Sequence, residues 1–161
     1  MALREIRLDG DPILRKTSKE ITEINDRIKV LLDDMVETMI DANGVGLAAP
    51  QIGVLRRAIV VDIGDSPIKA INPEIIEQDG EITDLEGCLS VPGYSGTVQR
   101  PESIKVKFMD ENGDSKVIEA KGLAARIFCH EIDHLDGILY TDKALEVLEN
   151  KDLEEEEVDE E

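Results

Sequence analysis

The chain has 161 residues and a formal net charge of -19, a length that suits one domain with a core of its own. Apolar residues make up 41% but aromatics only 2%, so Ile, Leu, Val, Met and Ala must fill the interior. No basic stripe, no signal-peptide core and no stretch near the ~18 apolar residues of a membrane span is present, which argues against direct nucleic-acid readers, secreted proteins and membrane proteins. The expected location is cytoplasmic, where Cys88 and Cys129 are free, metal-bound or reactive rather than bridged.

In chain order, the first periodic segment is 24–42. Ile24, Ile28, Leu31, Leu32, Met35, Val36, Met39 and Ile40 recur at three- and four-residue spacing with charges between them, which predicts a helix closed at Asn43-Gly44. The following "GVGLAAPQIG" (44–53) is too rich in Gly and Pro for a plain helix or strand. The continuous apolar run "RAIVVDI" (57–63) predicts a buried strand, and "AINPEII" (70–76) an extended segment around Pro73. "SIKVKF" (103–108) and "SKVIEA" (115–120) flank Asn112-Gly113, a hairpin signal. Helical period returns over 122–136 and stops at Gly137, and a short last helix is expected at about 142–150.

The ending differs in kind. Residues 149–161 carry nine acids and one lysine, so 151–161 is expected to be a solvated, disordered acidic tail behind a single domain spanning 1–150. Strands lie in a run between helices, without regular βαβ alternation. The fold class is therefore α+β, with antiparallel or mixed sheets around a central helix, an N-terminal helix and a short C-terminal one.

Both histidines of the chain fall in "CHEIDHLDG" (129–137), spaced i and i+4. On a helix His130 and His134 share a face and can aim at one point, while Glu131 is offset by about 100° and sits beside it. This is the H-E-x-x-H arrangement of a metal held by two imidazoles, with a glutamate to handle protons. A catalytic site of this type takes a third protein ligand: a downstream carboxylate, or a cysteine. Cys129 points about 100° away from its neighbour His130 and reads as core filling. Cys88, in "LEGCLSVPGY", is the better candidate.

Three stretches now stand together: "GVGLAAPQ" (44–51), "EGCLS" (86–90) and "HEIDHLDG" (130–137). In that order and spacing they resemble the signature motifs of bacterial peptide deformylases, and the resemblance runs over nearly the whole chain. It implies a hydrolase that removes the formyl group from N-formyl-methionine of nascent polypeptides and releases formate. It implies one divalent metal per chain on Cys88, His130 and His134, natively Fe2+, with Zn2+, Ni2+ or Co2+ as alternatives. Glu131 takes the general acid/base role, and Gln51 with the backbone N–H of Leu89 forms an oxyanion hole. Gly44, Val45 and Gly46 bind substrate, and Glu86, Arg100 and Asp133 pair beneath the site.

Two positions depart from the family pattern. Cys129 stands where Gln is usual, and Arg126 stands where an apolar residue lines the methionine pocket; its stem is expected over that pocket or its head in solvent. The acidic ending lacks the basic C-terminal helix with which some members dock on the ribosome, so only transient ribosome proximity is expected. Rival readings are an HExxH metallopeptidase, which needs a ligand downstream of the helix, and a non-catalytic protein with a structural metal, which needs a fourth ligand.

Overall fold

The structure, a computed structural model, describes residues 2–151. In chain order its elements are a 3₁₀ turn (Pro12–Arg15), helix α1 (Asp26–Asp41), strand β1 (Gly46–Ala48), a 3₁₀ turn (Ala49–Ile52), β2 (Ala58–Val61), β3 (Ile68–Asp79), β4 (Ile82–Cys88), β5 (Val91–Arg100), β6 (Ser103–Met109), β7 (Ser115–Lys121), α2 (Leu123–Leu135), a short α3 (Tyr140–Lys143) and β8 (Glu146–Glu149). Five strands form one antiparallel sheet in the order β1-β2-β3-β6-β7, and three form a second in the order β4-β5-β8. This is the expected α+β architecture around a central helix.

The apolar run read as a buried strand is β2, which is covered on both faces. Ala58 and Val60 pack in one cluster with Leu31, Leu32, Met35 and Met39 of α1. Ile59 and Val61 pack in the other with Phe128, Ile132 and Leu135 of α2. Alternate side chains of a strand point to opposite faces, so an unbroken apolar run is what a sheet between two helices requires. Helix α1 starts where Asn25 accepts a hydrogen bond from the Ile28 N–H at 3.1 Å. In the β6–β7 hairpin, Asp110 Oδ1 accepts from the N–H groups of Asn112 and Asp114 at 2.9 and 3.0 Å, and Gly113 adopts φ +84°.

The C-terminal region departs from the expected helix at 142–150. The helix is Tyr140–Lys143, and Glu146–Glu149 is a strand that pairs with Tyr94–Thr97 of β5. Leu145 and Leu148 have helical spacing, but the outer edge of β5 offers backbone groups that only another strand can satisfy. Strands β1, β4 and β5 carry no clear alternation in the sequence, being interrupted by Gly46, Gly87, Pro92, Gly93 and Gly96. Apart from Lys151, the acidic tail of the sequence reading lies outside the described residues.

Gly137 ends α2 in a left-handed conformation, φ +75°, and a Cβ there would lie 2.6 Å from the Arg15 carbonyl oxygen. Substituting Gly137→Ala should lower the unfolding free energy by about 2 kcal/mol or more, seen as a reduced urea midpoint at unchanged slope.

Candidate metal centre

Helix α2 presents His130 and His134 one turn apart on one face, with ring centroids 5.0 Å from each other. Cys88, the last residue of β4, faces them, and its Sγ is 3.4 Å from His134 Nε2. One ligand atom from each of the three residues lies within 4.8 Å of the other two, and no other such cluster occurs among the described residues. The third candidate of the sequence reading is thus brought to the histidine pair by the β4–β5 hairpin. Cys129 is buried in the apolar core behind the helix, where burial pushes its thiol up to about 11. Neither cysteine is bridged.

A polar network lies beneath these three residues. Glu86, two residues before Cys88 on β4, is buried, and its carboxylate accepts four hydrogen bonds. Oε1 takes His130 Nδ1 at 2.8 Å and Arg100 Nη2 at 2.9 Å; Oε2 takes Arg100 Nε at 2.8 Å and Arg126 Nη1 at 2.7 Å. Arg100 also donates to Asp133 at 2.6 Å. The bond at Nδ1 leaves His130 Nε2 free to face Cys88 and His134. Burial works against a charge on Glu86, but the donors from His130 and Arg100 outweigh it and hold the carboxyl at about 2.

The centre suits a cation. Burial pushes His134 well below the ordinary imidazole range, which leaves a lone pair to donate. Burial also opposes charge on His130, yet Glu131, Cys88 and Glu86 together raise it to about 10. The negative groups that hold a proton there would equally stabilise a metal ion in its place.

Glu131 is as buried as Glu86 but differs from it in its partners. It is enclosed, its Oε1 has no hydrogen-bond partner among the described residues, and burial raises it to about 7. Across from it runs β1, whose Gly46 has no room for a side chain: a Cβ would lie 2.9 Å from Glu131 Cδ and closer still to Oε2. Gln51 is held by its own turn, its Oε1 accepting from the Ala48 N–H at 2.9 Å. Its Nε2 is thereby directed at Ser90 Oγ, 3.0 Å away, and Cys88 Sγ, 3.6 Å away. Leu89 occupies the two-residue turn between β4 and β5.

These residues border a cleft of about 280 Å³, with Gly44, Val45 and Gly46 on one side and Val91–Ser95 on the other. Beside it is a smaller recess of about 130 Å³ lined by Val45, Leu85, Leu123, Ile127 and Arg126, with His130 and Glu131 at its border. Eight of the nine site residues named from the sequence border the cleft; the ninth, His134, is buried behind it with its Nε2 3.4 Å from Cys88 Sγ. Three contributors were not legible as such: Ser90, Tyr140 and Arg126. The Tyr140 ring stacks on the His130 imidazole at 6.0 Å, which nothing in its local sequence signals. Arg126 does not point to solvent: it borders the recess, and its guanidinium is buried against Glu86.

A family model described as polypeptide deformylase matches residues 3–150. The chain belongs to that family. It is 56% identical over 154 residues to the peptide deformylase of Acetivibrio thermocellus, covering 96% of this chain and 91% of that one. It is 58% identical over 143 residues to the peptide deformylase of Agathobacter rectalis, covering 89% and 90%. Its fold superposes on the crystal structure of peptide deformylase from Thermotoga maritima with a TM-score of 0.88 at 42% identity, covering 91% of this chain and all of that one. The peptide deformylase from Synechococcus elongatus, solved in complex with actinonin, gives a TM-score of 0.86 at 39% identity, covering 89% and 79%. As a deformylase the chain is a metal-dependent hydrolase acting on N-formyl-methionyl peptides. No described helix is long and apolar enough to cross a membrane.

The contact between β1 and Glu131 leads to a direct test. Gly46→Ala should fold but lose at least about 10²-fold in kcat/KM for a formyl-Met peptide, because the new methyl displaces the buried Glu131 carboxylate from its place in the cleft. Circular dichroism and steady-state kinetics on one preparation check both halves.

Proposed function

We propose that Cys88 Sγ, His130 Nε2 and His134 Nε2 hold one divalent metal, natively Fe2+, and that the residues around it carry out deformylation in the cytoplasm on chains emerging from the ribosome. The observation that carries this reading is the convergence of the three ligand atoms beside a buried glutamate whose Oε1 has no hydrogen-bond partner among the described residues. When bound, the ion acidifies water and so supplies a nucleophile at neutral pH.

The other residues then have separable tasks. Glu131 accepts the proton released from water and returns it to the leaving amine; a carboxyl raised to about 7 is matched to both transfers. Gln51 Nε2 and the Leu89 N–H donate to the formyl oxygen as negative charge gathers on it. Both are set in place beforehand, Gln51 by the Ala48 N–H and Leu89 by its tight turn, so little reorganisation accompanies the reaction. Gly44, Val45 and Gly46 lie at the outer edge of the five-stranded sheet, where an extended peptide can add as a further strand. The recess beside His130 and Glu131 takes the methionine side chain.

The rival readings find no support. Asp136 and Asp142, downstream carboxylates that a metallopeptidase would need as ligands, are engaged by Arg57 and Arg15. A structural site would require a fourth protein ligand, and three converge. Ribosome approach is transient in this reading and uses no basic C-terminal helix, and residues 151–161 take no part in the chemistry.

The test is formate release from a formyl-Met peptide. Glu131→Gln should keep the metal and the fold while losing about 10²-fold or more in kcat, since a carboxamide cannot carry the proton. Near-normal turnover in the metal-loaded variant would remove Glu131 from its role. Elemental analysis of anaerobically purified enzyme should find one iron per chain, and zinc or nickel in a fully active sample would overturn the iron assignment.

A further inference from the structure

Arg126 stands on α2 one turn before His130, is 6% exposed, and spends its guanidinium entirely inside the protein. Nη1 donates to Glu86 Oε2 at 2.7 Å and to the Val98 carbonyl at 2.8 Å, and Nη2 donates to the Ile82 carbonyl at 2.8 Å. One planar group therefore ties the helix to the first residue of β4, to the middle of β5, and to the carboxylate that holds His130. Without Arg126, Glu86 would keep the paired contacts of Arg100 but lose its second donor on Oε2, and with it the tie that holds the carboxylate and the two strands against α2 where His130 stands. The same side chain borders the recess next to the cleft.

We propose that Arg126 is a positioning residue for the metal centre. It holds the Glu86 carboxylate in place against α2, through Glu86 it supports the His130 ring, and its side chain at the same time borders the recess. A lysine could not substitute, because a single ammonium cannot address a carboxylate and two carbonyls in divergent directions as the guanidinium fork does. The inference rests on His130 being a metal ligand, so its test must separate the two claims.

Zn2+-loaded enzyme is competed with a chelator for the wild type, Arg126→Met, Arg126→Lys and His130→Ala, with thermal unfolding measured on each. Arg126→Met keeps a stem of similar length and removes the fork. Zinc affinity should fall about tenfold or more, in the range typical of lost supports behind a ligand. KM for a formyl-Met peptide should stay within about threefold, because the recess keeps its wall, while kcat falls. Arg126→Lys should lie between, with at least about threefold weaker zinc binding.

A role confined to fastening the helix to the strands would lower the melting temperature of Arg126→Met and leave zinc affinity at the wild-type value, which overturns the proposal. If Arg126→Met does not fold, wild-type zinc affinity in folded Arg126→Lys overturns it equally. If His130→Ala binds zinc as well as the wild type, the ligand assignment itself is wrong. Loss in His130→Ala with no change in either Arg126 variant leaves that assignment standing and rejects the role of Arg126.

Discussion

The centre is organised around the buried carboxylate of Glu86 and the four donors that saturate it. An ionised carboxylate without partners would be expelled from such a site or would take up a proton. Two guanidiniums and an imidazole meet it instead, and they come from two parts of the chain: Arg100 from the end of β5, Arg126 and His130 from successive turns of α2. The network therefore joins the three-stranded sheet to the central helix. Because Cys88 follows Glu86 by two residues on the same strand, the contact that orients one imidazole also sets the thiol opposite it. Removing one partner would leave a buried carboxylate oxygen short of a donor, a larger loss than the net worth of an exposed ion pair.

The two glutamates illustrate how environment divides labour between identical groups. Glu86 receives every hydrogen bond its oxygens can use and is held at about 2, so it is an anion over the whole working range and serves as an anchor. Glu131, equally buried but without donors on Oε1, is raised to about 7 and can both accept and release a proton near neutrality. Separation of this kind comes from the number of donors and not from burial, which the two residues share.

Rigidity around the centre comes from packing on both faces of the five-stranded sheet. Helix α2 is pressed onto one face by Phe128, Ile132 and Leu135, and α1 onto the other by Leu32, Met35 and Met39. With so few aromatic side chains in the chain, Tyr140 has a position out of proportion to its number: it lies over the His130 ring and carries the turn from α2 toward β8. Strand β1 meets α2 so closely at Gly46 that the edge of the five-stranded sheet and the Glu131 carboxylate share one wall of the cleft.

Local periodicity by itself determined both long helices, the buried strand at 58–61, the Asn-Gly hairpin and the convergence of two histidines on one helix face, because each follows from side-chain spacing along a regular backbone. It also excluded Cys129 from the histidine face, since residues one apart on a helix point about 100° from each other. Spacing could not show that 146–149 closes a sheet, because the deciding partner is the open edge of β5, some fifty residues earlier in the chain. Nor could it tell where Arg126 points: an arginine on an otherwise apolar helical stretch is equally compatible with solvent, with a pocket wall or with a buried acid. Tertiary structure decided that question, by bringing Glu86 and two strand carbonyls within hydrogen-bonding reach of one guanidinium. Hydrogen bonds between distant segments depend on how the sheets close over the helix, and no property of a local window carries that information.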